Sequence, residues 1–180
     1  NQPLRLYGAG ADSGTFDYFT EAIVGKAKAI RTDYQPTEDD NVTIKGVAGD
    51  TYAMGFLGYA YYEENKDKVK AVAIDHGKGC VLPSRETVLD GTYQPLSRPL
   101  FIYVNVKSLD RPEVQAFVDF YLSPAARRAI RSTGYVELPS EAYRIGQELV
   151  KRRKAGTFFM ELPAGTPLSK FIQELDKELR

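Results

Sequence analysis

The junction between Leu4-Arg5-Leu6-Tyr7 and Gly8-Ala9-Gly10-Ala11-Asp12-Ser13-Gly14-Thr15-Phe16 constrains this chain more than any other part of it. The first run is short and apolar, with the length of a strand. After the turn, Phe16, Phe19 and Ile23 recur at steps of three and four, which places them on one helix face. Asp12 and Ser13 stand where an N-cap belongs, so the spacing predicts a strand, a glycine-bearing turn and a helix from about Ser13 to Val24, closed by Gly25. A helix start leaves backbone N–H groups without intrahelical partners and carries the positive end of the helix dipole. Gly14 admits a ligand close to the backbone, and the Ser13 and Thr15 hydroxyls can donate to an oxyanion. The same residues equally suit an ordinary capped helix behind a tight turn.

The rest of the chain alternates extended and helical patterns. A connector, Lys26 to Tyr34, carries a short strand expectation at Ala29 to Thr32. Gln35-Pro36-Thr37 reads as a turn into a helix whose first turn is loaded with Glu38, Asp39 and Asp40, charges that complement the dipole. Met54 to Gly58 and Val69 to Ile74 read as strands, Tyr59 to Lys68 as a helix, and Asp75 to Gly79 as a turn. Leu100 to Val106, rich in β-branched and aromatic residues, is the strongest strand pattern. Helices are then expected from Pro112, with a Val114, Phe117, Val118, Tyr121, Leu122 stripe, from Pro124, from Ser140 to about Lys154, and from Pro167. Thr157 to Leu162 is a further strand expectation. Such alternation predicts an α/β fold with a mainly parallel sheet flanked by helices. Ligands of such sheets sit at the carboxyl ends of strands, where the turn from Gly8 to Ser13 lies.

Composition narrows the function. The 24 basic and 24 acidic residues cancel, which argues against nucleic acid as the main partner. No apolar run approaches the ~20 residues that span a bilayer. A single cysteine, Cys80, and a single histidine, His76, make neither a disulfide nor a zinc cluster, and no cofactor is expected. The chain opens on Asn1 with no signal peptide pattern, so a processed or trimmed product is expected.

Asp12-Ser13-Gly14-Thr15-Phe16-Asp17-Tyr18-Phe19, then Arg31-Thr32-Asp33-Tyr34, Glu38-Asp39-Asp40-Asn41-Val42 and Gly55-Phe56-Leu57-Gly58-Tyr59-Ala60-Tyr61-Tyr62, resemble the PstS-type phosphate-binding proteins of ABC transporters. These are periplasmic members of the two-lobed solute-binding superfamily. Pro95 to Asn105 is similar to the segment by which that family re-enters its first lobe, and the resemblance runs from Leu4 to about Pro139. It implies a periplasmic-binding-protein-like fold with most of the N-terminal lobe missing: residues 1–97 as the second lobe, and residues 98–180 as the return strand and C-terminal helices of the first. The absent lobe would be a separate chain or a paired copy. The resemblance further implies an exported, periplasmic or extracytoplasmic protein that binds inorganic phosphate and delivers it to a membrane permease. Its implied ligands are Ser13, Gly14, Thr15 and Arg31, with Asp12 orienting Arg31 or the turn. A guanidinium suits that task because its fork matches two anion oxygens.

Two enzymatic alternatives remain open on the residues. Asp12-Ser13-Gly14-Thr15 fits the aspartic-protease pattern, but a second such motif is needed to share the proton, and Asp50-Thr51-Tyr52 lacks the glycine. Ser13 as a hydrolase nucleophile would need a base within reach, with His76 beside Asp75 as the candidate.

Overall fold

The computed structural model describes residues 2–156 and 162–180, in two compact units. One comprises residues 1–84 and 93–96, the other residues 85–92 and 97–180.

The first unit is built on β1 (Arg5–Ala9), which is hydrogen-bonded in parallel on both sides, to β2 (Tyr34–Thr37) and to β3 (Ala53–Phe56). The register sets Ala9 opposite Thr37 and Gly8 opposite Phe56. Parallel neighbours require crossovers. Helix α1 (Gly14–Val24) carries the chain from β1 to β2, and α2 (Asp40–Ala48) carries it from β2 across to β3. Because the two crossings run in opposite directions along the sheet, right-handed connections put the helices on opposite faces. The side chains agree. Tyr7 and Gly55 are cross-strand neighbours that face α2, whereas Phe56, opposite Gly8, stacks on Phe19 of α1 with ring centroids 4.1 Å apart.

The core of this unit contains Ala9, Phe16, Thr20, Thr43 and Ile44. The buried stripe of α1 is rotated from the one the spacing predicts, for Ile23 is 51% exposed while Thr20 is sealed. The reason is the returning segment: Thr20 Oγ1 donates to Phe16 O at 2.9 Å and accepts the Lys28 N–H at 2.8 Å. Gly25, at φ 77°, ends the helix in the left-handed region that a side chain resists.

Three strand expectations are corrected. The segment from Ala29 to Thr32 is irregular, and the chain pairs instead at Tyr34–Thr37, the stretch that reads as a turn. Pro36 disguises β2, since proline lacks a ladder donor, but an edge strand tolerates it. Val69 to Ile74 pairs only at its end, where β4 (Ile74–Asp75) and β5 (Cys80–Val81) form a short antiparallel hairpin. Leu100 to Val106 is irregular up to a 3-10 helix at Val106–Asp110. A strand needs a ladder partner whatever its propensity, and no described strand pairs with this one; Tyr103 is 73% exposed. The helix expected to Lys68 is shorter, α3 (Tyr59–Glu64).

The second unit is helical: α4 (Arg85–Leu89), the 3-10 turn, α5 (Pro112–Tyr121), α6 (Pro124–Ser132), α7 (Ser140–Lys151) and α8 (Leu168–Lys177). Val118, Ala126, Tyr143 and Ile145 are buried in it. Ser123 caps α6 by accepting the Ala126 N–H at 3.3 Å, and Arg127 lies 4.3 Å from the centre of the Tyr143 ring. Arg85 and Arg131 converge on Glu137. Of the α5 stripe, Val118 is buried but Phe117 is exposed. The strand expected at Thr157 to Leu162 lies, apart from Leu162, outside the described residues.

The contact between Tyr7 and α2 gives a test. Gly46 lies in the middle of α2, where alanine would ordinarily favour the helix by ~1 kcal/mol. Here a Cβ would fall 2.5 Å from Tyr7 Cε1. Gly46→Ala is therefore expected to destabilise the protein by about 1–3 kcal/mol in urea unfolding, the cost of overpacking. A stabilised variant would contradict the described packing of Tyr7.

Candidate anion-binding site

β1 is the strand at which the sheet order reverses, with β2 on one side and β3 on the other. In open α/β sheets the crevice for ligands opens at the carboxyl end of such a switch point. The turn from Gly10 to Ser13 leaves β1 there and runs into α1. Gly10 N–H still bonds to Thr37 O at 3.2 Å, extending the ladder by one step, and Ser13 N–H closes the turn onto Gly10 O at 3.0 Å.

Ser13 is the N-cap. Its backbone is extended, at φ −93° and ψ 130°, and its Oγ accepts the Thr15 N–H at 3.1 Å. Its carbonyl accepts the Asp17 N–H at 3.2 Å. Among the described residues, the Gly14 and Phe16 amides have no backbone or side-chain acceptor outside the helix, and the Thr15 hydroxyl makes no hydrogen bond. Gly14 is exposed, Ser13 and Thr15 are half-buried, and Asp12 is exposed. The structure thus brings Asp12, Ser13, Gly14 and Thr15 together at one helix start, with unspent donors and the positive dipole end beside them.

Arg31 is placed differently. It lies three residues before β2, on the segment leading into the amino end of that strand. Its guanidinium is engaged by Asp33 through two hydrogen bonds, of 2.7 and 2.5 Å, rather than by Asp12 or the turn. The side-chain bond to Asp33 raises the Arg31 pKa further and lowers that of Asp33.

Glu38 was legible only as helix charge, yet it reaches the turn. It follows β2 directly, and its Oε1 accepts the Asp12 N–H at 3.4 Å. The signal that would have found it is the hidden strand: once Tyr34–Thr37 pairs beside β1, residue 38 falls at the carboxyl edge next to Gly10. Asp39 caps α2, accepting the Asn41 N–H at 2.9 Å. The Asp40 pKa is raised by burial first, then by the charges of Asp39 and Glu38.

The enzymatic arrangements find no geometry here. His76 is exposed on the turn between β4 and β5, and no hydrogen bond joins it to Ser13 among the described residues. No second carboxylate is hydrogen-bonded to the Asp12 side chain among them either. Nor do the described residues group three or more potential metal ligands. No described helix is long and apolar enough to cross a membrane.

The cap gives its own test. Ser13→Ala is expected to cost about 1 kcal/mol in denaturant unfolding. Thr15→Ala, which breaks no described bond of its hydroxyl, is expected to stay within ~0.5 kcal/mol of the parent. Equal losses in the two variants would contradict the described cap.

Comparison with known proteins agrees with this architecture. Residues 1–125 match the model of a family described as a PBP superfamily domain. The chain is 51% identical over 176 residues to Protein SphX of Synechocystis sp., covering 94% of this chain and 52% of that protein. It is 35% identical over 146 residues to the phosphate-binding protein PstS of Staphylococcus haemolyticus, covering 80% of this chain and 45% of that one. A crystal structure of a possible phosphate binding protein from Planctomyces limnophilus superposes with a TM-score of 0.70 at 43% identity, over 86% of this chain and 55% of that one. The chain therefore spans about half the length of the relatives it matches. The α/β architecture and the sequence matches lead to one assignment: the chain belongs to the PBP superfamily.

Proposed function

We propose that this chain carries an inorganic-phosphate seat of a solute-binding protein serving an ABC-type importer. The observation that carries the reading is the α1 start: unspent amides of Gly14 and Phe16 and the Thr15 hydroxyl, at the carboxyl end of the strand where the sheet order reverses. Relatives whose names include phosphate binding support the choice of anion.

In this reading Ser13, Gly14 and Thr15 wrap the anion with backbone and hydroxyl donors. Recognition replaces the water shell of the anion by fixed donors, and no bond is made or broken. Arg31, on the segment leading into the amino end of β2, stands at the opposite edge of the sheet from this seat. It supplies a charged fork only if that segment shifts and Asp33 is exchanged for the anion, to whose oxygens a guanidinium fork is equally suited. Asp12 holds the turn. The second wall of the cleft comes from the half of the relatives that this chain does not span, as a covalently joined lobe, a separate chain or a paired copy. The exposed run Leu100, Phe101, Ile102 and Tyr103 is then the strand that completes a sheet with that half. Residues 1–97 form the second lobe, and residues 98–180 belong to the return. The protein acts outside the cytoplasmic membrane, handing phosphate to a permease.

Calorimetric titration with inorganic phosphate tests the assignment of residues. Thr15→Ala is expected to weaken binding by roughly tenfold or more, the worth of a lost charge-assisted hydrogen bond, and a comparable loss in Arg31→Gln would show that Arg31 joins the seat when the anion binds. Unchanged affinity in Arg31→Gln would confine the site to the helix start. Unchanged affinity in Thr15→Ala would remove the seat from α1.

A further inference from the structure

The carboxylate of Glu38 lies on the turn that offers donors to an anion. Its Oε1 takes the Asp12 N–H at 3.4 Å. The contact depends on Gly10, because a Cβ there would stand 2.0 Å from Glu38 Oε1 and 2.9 Å from Cδ. Any other residue at position 10 would push the carboxylate away. The Tyr34 ring, stacked on Phe16 at 6.3 Å, reaches Ala9 O with its hydroxyl at 3.4 Å. Its pKa is raised by burial and then by the Glu38 charge. The groups around this carboxylate are thus Asp12 on the turn, Tyr34 on β2, and Asp39 and Asp40 at the start of α2. None of them is cationic, and among the described residues no basic side chain forms an ion pair with Glu38, so its negative charge stands beside the edge of the sheet where the α1 start offers donors to an anion.

We propose that Glu38 is an internal competitor for the anion seat: its carboxylate occupies the Asp12 amide in the free protein, repels an arriving oxyanion and so sets the affinity of the site. This inference rests on the phosphate reading above. An anion entering at Gly14 and Thr15 meets a like charge one turn away, and that charge must swing out from Gly10 before the Asp12 amide can join the donor set. Glu38 is exposed and follows the strand without entering the helix, so it can move without disturbing β2 or α2.

The test compares the parent with Glu38→Gln and Glu38→Ala by titration with inorganic phosphate at low and high salt. Both variants are expected to bind roughly three- to tenfold more tightly at low salt, with the gain shrinking as salt screens the charge. Asp39→Asn, which removes a charge that does not touch the turn, is expected to give a smaller gain. In the free protein, Glu38→Ala is expected to shift the Asp12 amide resonance upfield, as a lost acceptor does. Saturable binding by the parent with equal or weaker binding in both Glu38 variants would overturn the competitor while leaving the phosphate reading intact. Absence of saturable binding in parent and variants alike, both in this chain and in the chain joined to the remaining half of its relatives' length, would overturn the phosphate reading, and the competitor with it.

Discussion

The two-sided parallel pairing of β1 is the constraint on which the first unit depends. A central strand with neighbours on both sides must send its crossovers to opposite faces, and both faces must then be filled. Tyr7 fills one against α2, and the Phe56–Phe19 stack fills the other against α1. The same pairing decides where the helix start points. α1 follows the carboxyl end of β1, so its start and dipole end lie at the switch point, the edge where open α/β sheets take their ligands. Function, on this account, is a consequence of strand order.

The candidate site is a balance of opposing charges. The Ser13 hydroxyl accepts the Thr15 amide, which stabilises the helix start but leaves the Gly14 and Phe16 amides without a described acceptor outside the helix. Glu38 and the exposed Asp12 bring negative charge to the same edge. Arg31 is held by Asp33 at close range. An exposed ion pair of this kind is worth little to stability, so exchanging one partner for an anion is inexpensive.

Much of this was legible in the sequence. The strand, turn and helix around Gly8 to Phe16 follow from apolar spacing and one capping serine, and the structure has them at Arg5–Ala9 and Gly14–Val24. The alternation that predicts a parallel α/β sheet is local information, and it held. What failed was non-local. Pro36 masked β2, because an edge position that excuses a proline cannot be read from its neighbours. Thr20 replaced Ile23 in the core because Lys28 returns to bond it. Leu100 to Val106 has the composition of a strand without a described strand to pair with, and composition alone does not supply a ladder. Glu38 escaped for the same reason as β2: its proximity to Gly10 exists only once the strands are aligned. The placement of Arg31, too, follows from register and not from its motif.

The measurement closest to the central claim is a two-dimensional amide NMR titration of the isotopically labelled chain with inorganic phosphate, followed at Ser13, Gly14, Thr15 and Phe16. The account predicts saturable shifts centred on the Gly14 and Phe16 amides, which have no acceptor among the described residues. A chain in which those amides stay fixed at high phosphate, while the same chain joined to the remaining half of its relatives' length also shows no shift there, would contradict an anion seat at the start of α1.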